Sequence, residues 1–112
     1  MIFGQTLDYT EWNQFLSFIN NVYEKDDTVT VIDRSDEIMS RRLIVIGEKQ
    51  ISVIFGVGSF GYHSGKLEMW DYDEEDPTGG HTAIDVVSYI NKFIQEKKDE
   101  VKANDRHKRS DQ

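Results

Sequence analysis

The hydrophobic period changes twice along this chain, and no helical stretch separates the strands in between. Trp12, Phe15, Leu16, Ile19, Val22 and Tyr23 recur at helical spacing. Thr28–Asp33, Arg42–Ile46, Ile51–Phe55 and Lys66–Tyr72 then follow as β-branched or alternating runs. From Ala83 on, Val86, Val87, Ile90, Phe93 and Ile94 restore the helical spacing. A parallel sheet needs a crossover between successive strands, and none is available here. The pattern therefore predicts an α+β domain with a three- to four-stranded antiparallel sheet between an N-terminal and a C-terminal helix, both helices on one face.

The ends of these elements carry their own signals. Asp8 or Thr10 stands ready to cap the first helix, with Glu11 in its first turn, and Lys25-Asp26-Asp27 closes it. Gly47-Glu48-Lys49-Gln50 is a turn signal between two strand-like runs, as in a hairpin. Ser35–Arg41 is polar and has room for one turn of helix. Thr82 and Asp85 have capping-box spacing at the start of the last helix. The expected core comprises Phe15, Leu16, Ile19, Ile44, Val53, Leu67, Met69, Val87 and Ile90, with Trp12 on the same stripe.

At 112 residues the chain suits one domain. Residues 1–98 form the expected acidic body. Residues 99–112 read as a charged tail that frays, because beyond Gln95 apolar residues nearly cease. The sequence contains no cysteine, which removes disulfides, thiolate–zinc sites and thiol catalysis, and fits a cytoplasmic protein. No apolar run approaches the roughly 20 residues that span a bilayer, and no leader-like segment is visible, so no membrane role is expected.

Charge is unevenly spread. Residues 1–91 hold 16 acids and 6 bases, and residues 92–112 hold 5 acids and 7 bases. A body with that balance repels phosphate backbones, so no direct nucleic-acid binding is expected. The acids concentrate at Asp71-Tyr72-Asp73-Glu74-Glu75-Asp76, directly after Trp70. Carboxylates beside amphipathic rings suit a surface that meets something basic. Trp70, Asp71, Tyr72, Asp73, Glu74, Glu75 and Asp76 are the candidate partner-binding residues. Trp70 and Tyr72 share the face opposite Leu67 and Met69. Either that face is open and the rings are anchors, or a helix covers it and they are core.

Other motifs lack their chemical complement. Gly56-Val-Gly58-Ser-Phe-Gly61 matches G-x-G-x-x-G, but Tyr62-His63-Ser64-Gly65 leads into a strand and not into a helix that would aim amides at phosphate. The strand lysine, H-R-D and D-F-G sequences of a kinase are absent. The acidic run fails the calcium-loop pattern, with Asp76 at the sixth position and Thr82 at the twelfth. His63 and His81 flank a strand without a metal-binding spacing. No cofactor and no metal are expected, and no catalytic residue is assigned. Arg41-Arg42 is a lone basic pair, and Lys97-Lys98 with Arg106-His107-Lys108-Arg109 makes a thin basic tail mixed with acids.

Gly58-Ser-Phe-Gly61, Gly65-Lys-Leu-Glu68 and the pattern from Ala83 through Asp85, Val87 and Tyr89 to Ile90 resemble the closing third of small bacterial immunity proteins and prophage-encoded proteins. That resemblance implies a small non-enzymatic partner protein and brings no functional residue with it. The expected function is thus an acidic protein-binding module, an inhibitor or immunity-type protein. It would occupy a basic surface, such as that of a nuclease or another nucleic-acid-binding protein. A ligand-binding domain or enzyme using Gly56–Gly61 with His63 and His81 is the alternative. A structural component of a larger complex is another.

Overall fold

The computed structural model describes residues 7–110, with side chains described through Ala103. The elements are α1 (Thr10–Asn21), β1 (Thr30–Asp33), β2 (Ser40–Ile46), β3 (Lys49–Phe55), β4 (Leu67–Asp71), β5 (Thr78–His81) and α2 (Ala83–Ser110), with short 3-10 turns at Tyr23–Lys25 and Tyr62–Ser64. The strands lie in the order β1-β2-β3-β4-β5, every neighbouring pair antiparallel. The α+β class and the two bracketing helices are as the hydrophobic pattern predicts. The fifth strand, β5, is an addition to the expected three or four.

Strand alternation divides the sheet into two unlike faces. Pairing aligns Ile44 with Ile51, and Val53 with Met69. These side chains point toward the helices with Phe55 and Leu67, and all are buried. From α1, Trp12, Phe15 and Ile19 enter the same cluster, and Ala83, Val86, Ile90 and Ile94 enter from α2. Both helices therefore cover one face, and the other stays open. Leu16 and Val87 sit at the margin of this core and are partly buried. Val22 lies beyond the end of α1 and is exposed, whereas Tyr23 turns inward and its hydroxyl donates to Asn91 Oδ1 of α2 at 2.8 Å.

The helix starts are held by side chains. The Asp8 carboxylate accepts from the Thr10 amide at 3.0 Å and from its hydroxyl at 2.6 Å. Thr82 and Asp85 form a reciprocal box: the Asp85 amide donates to Thr82 Oγ1 at 3.1 Å, and the Thr82 amide donates to Asp85 Oδ2 at 3.0 Å. Glu11 of α1 adds a cross-helix cap, its Oε1 accepting from the Ala83 amide at 2.8 Å. A negative charge there also suits the positive end of the α2 dipole.

The apolar stripe of α2 ends at Ile94, and beyond it every side chain through Ala103 is exposed except the half-buried Lys97. The helix continues through position 98 without a break to Ser110. Of the expected tail, the side chains of Arg106–Arg109 and all of residues 111–112 lie outside the described residues.

Leu67 is fully buried at the centre of the helix-facing side. Leu67→Ala is expected to cost about 2–5 kcal/mol, because the site loses apolar contact and keeps part of the void. Chemical denaturation of both proteins measures it. An unchanged midpoint would count against this inward register.

Candidate functional site

The candidate site is the end of β4 and the turn that follows it. Leu67, Met69 and Asp71 point to the helices, while Glu68 and Trp70 point away. Trp70 and Tyr72 are 38% and 48% exposed and meet edge to face at 5.0 Å. Of the two expectations for these rings, the open-face one holds, since both helices occupy the opposite side.

Asp71 departs from its neighbours. The sequence places it among the candidate partner-binding acids of the turn, yet it is only 5% exposed. The cause is parity: it is two residues beyond Met69 and shares its face. Its carboxylate accepts from Lys49 Nζ at 2.9 and 3.1 Å, from the Tyr89 hydroxyl and from the Asp73 amide at 3.0 Å. Lys49 comes from β3 and Tyr89 from α2, so one carboxylate ties three elements together. Lys49 also reaches Asp73 Oδ2 at 2.7 Å and lies 4.4 Å from the centre of the Phe93 ring. Burial disfavours the charge on Asp71. The hydroxyl of Tyr89, the amide of Asp73 and the ammonium of Lys49 outweigh that, and its carboxyl sits below the ordinary value. Burial and the bond to Asp71 push the Tyr89 phenol up to about 12. Lys49 is lifted above its ordinary value, its partial burial being overcome by Asp73 and Asp71.

The remaining acids divide by position. Asp73 is exposed but bound to Lys49. Glu74, Glu75 and Asp76 border a cavity of about 490 Å³ together with Met69, Asp71, Thr78 and Tyr89. The turn is braced from inside by the Glu74 amide donating to the Asp71 carbonyl at 2.8 Å. From the open face, the Trp70 indole N–H donates to the Glu74 carbonyl at 3.2 Å. These carboxylates are therefore presented on a fixed loop. The lining sets the carboxyl-bearing Asp71, Glu74, Glu75 and Asp76 beside Met69 and Tyr89, a combination suited to a cationic side chain.

The glycine-rich string serves packing. Gly58, Gly61 and Gly65 have positive φ. A Cβ on Gly61 would fall 2.7 Å from the Gly80 nitrogen, and one on Gly79 would fall 2.3 Å from Phe60 Cβ. The connection thus lies backbone to backbone against β5. Ser59 is buried in it, donating to the Gly56 carbonyl at 2.7 Å. His63 stacks on Tyr62 at 4.0 Å, while His81 Nε2 is 2.7 Å from Thr78 Oγ1. No hydrogen bond joins the two histidines to each other among the described residues. No group of three His, Cys, Asp or Glu suited to a metal ion occurs among the described residues either.

Lys49 and Tyr89 were missed at the level of sequence, although strand parity marks Lys49, which shares its face with Ile51 and Val53. Compared with protein-family models, curated proteins and solved structures, the chain finds no match.

Asp71→Asn is expected to cost about 1.5–3 kcal/mol, because it gives up the charge-assisted bonds from Lys49 and Tyr89 while Asp73 still pairs with Lys49. The sign of the pH dependence follows from linkage. Asp71 is depressed in the folded state, so its contribution is present above about pH 4 and is lost as pH falls through that value and below. Tyr89 is raised, so its contribution is present below about pH 10 and is lost as pH climbs toward 12. Thermal melts at pH 3–7 and 9–12 test both limbs, and the acid limb should flatten in the variant. A variant melting within about a degree of the parent would remove the ion pair from its structural role.

Proposed function

We propose that this chain is a non-enzymatic, cytoplasmic protein-binding module of the inhibitor or immunity type, whose acidic turn occupies a basic surface on a partner protein. The observation that carries this reading is the division of labour within one short segment. Asp71 is spent on the fold, which leaves Glu74, Glu75 and Asp76 around a cavity, with Trp70 and Tyr72 exposed beside them. The carboxylates steer a basic partner over a distance, and the rings bury area once it arrives. A nuclease or another protein that holds phosphate through Lys and Arg offers such a surface, and the turn would take the place of the backbone. The cysteine-free composition suits a reducing compartment.

The test begins with a partner captured at low salt and released at high salt, followed by binding kinetics. Changing Glu74, Glu75 and Asp76 to Gln, Gln and Asn should slow association by roughly tenfold or more at low ionic strength and flatten its salt dependence. Trp70→Ala should instead speed dissociation, since it removes contact area and no charge. Unchanged rate and salt response in the neutralised variant would reduce the turn to a solvated surface.

A further inference from the structure

The open face of the sheet carries, toward β1 and bordering Tyr72 of the acidic run, a feature of the opposite sign. β1 extends its pairing one residue past Asp33, with the Arg34 amide donating to the Arg41 carbonyl at 3.1 Å. Asp33 stands opposite Arg42 and the two ion-pair at 3.0 Å on the helix side, where Arg42 also lies 5.7 Å over Trp12. Alternation then sends Arg34 and Arg41 to the open face, side by side. Like charges directly opposite each other on neighbouring strands are destabilising. Among the described residues, neither guanidinium has a carboxylate within ion-pairing distance. The amides of Ile38 and Met39, both donating at 2.8 Å, hold the Asp36 carboxyl below its ordinary value, and the charge of nearby Arg41 adds to this; the carboxylate is taken up by those amides and forms no ion pair with the guanidinium.

The two arginines line a cavity of about 320 Å³ with Leu43, Ser52 and Tyr72. Leu43 is buried at 8% exposure although it points away from the helices, and it forms an apolar floor. The Tyr72 ring is a wall, held from behind by its contact with Trp70. We infer that this cavity is a receptor for a single carboxylate carried on an apolar body. The guanidinium forks match a carboxylate, and its charge would relieve the repulsion between them. Leu43 and Tyr72 would take the apolar body. A polyanion fits poorly, because residues 1–91 hold 16 acids against 6 bases and repel charge that extends beyond the pocket. The same chemistry comes from a small organic acid or from the free C-terminus of a peptide.

The experiment follows the Arg34 and Arg41 side-chain Nε–H signals and the Tyr72 ring by NMR at fixed ionic strength. The probes are benzoate, inorganic phosphate, an acetylated peptide ending in a free leucine carboxylate, and the amide of that peptide. Saturable shifts with benzoate, with the free-carboxylate peptide or with both support the site, and their relative strength separates the two sources. The amide should produce no saturable shift, and phosphate, which the guanidinium forks also match but which lacks the apolar body, should bind several-fold more weakly than benzoate. Changing Arg34 and Arg41 together to Gln should weaken binding by roughly tenfold or more, with a melting temperature equal to or above that of the parent. Arg34→Gln alone, at an exposed position, should weaken it in the same direction. Neutralising Glu74, Glu75 and Asp76 should leave benzoate binding intact, so failure of the acidic-turn reading does not touch this one. Shifts that never saturate, an equal response to phosphate, or unchanged binding in the Arg34→Gln protein would overturn the assignment.

Discussion

A carboxylate withdrawn from water must be matched, and the Asp71 site is built around that requirement. Lys49 supplies the counter-charge, Tyr89 a hydroxyl and Asp73 an amide. Removing any one leaves the others with an under-compensated charge in a poorly solvated place. The cost of this arrangement in desolvation brings a geometric return: the end of β4, the β2–β3 hairpin and the second turn of α2 are fixed relative to one another. The acidic turn begins at that fixed point.

The acidity of the chain has two meanings that composition cannot separate. Six aspartates spend an oxygen on a nearby backbone amide: Asp8 on Thr10, Asp26 on Thr28, Asp33 on Ser35, Asp36 on Ile38 and Met39, Asp71 on Asp73, and Asp85 on Thr82. The short aspartate side chain reaches these amides easily, which is why it favours turns and helix starts. Much of the negative charge is thus turn and cap chemistry. Glu74, Glu75 and Asp76 are a run of three acids that none of these bonds takes up, and on the open face the sign reverses at Arg34 and Arg41.

The two helices and the β2–β3 hairpin were legible because their signals are local. The stripe of α1 spells out a helix, and Gly47, at φ 60, permits the turn between β2 and β3. The fifth strand was not legible, since Thr78-Gly79-Gly80-His81 has little strand propensity. Its glycines let the Phe60–Gly61 backbone approach closely, and that contact is made at long range. Asp71 and Lys49 hid for another reason. Read one at a time they are surface residues, and only their alternation with Met69 and Ile51 places them inside. The like-charged Arg34–Arg41 neighbours required the exact strand register, which no single stretch of sequence carries.

The two-residue repeat of β4 sets how this surface can change over evolutionary time. Trp70 and Asp71 are adjacent in sequence and lie on opposite faces. A single inserted or deleted residue within β4 would exchange them, bringing an indole against Lys49 and a carboxylate into the open. Length changes inside the strand are therefore closed as a route to new specificity. The turn from Glu74 to Asp76 lies beyond the Asp71 anchor and before β5, so it can vary in sequence without disturbing the strand's parity. A lineage varying this surface would change residues there while the strand beneath holds its length.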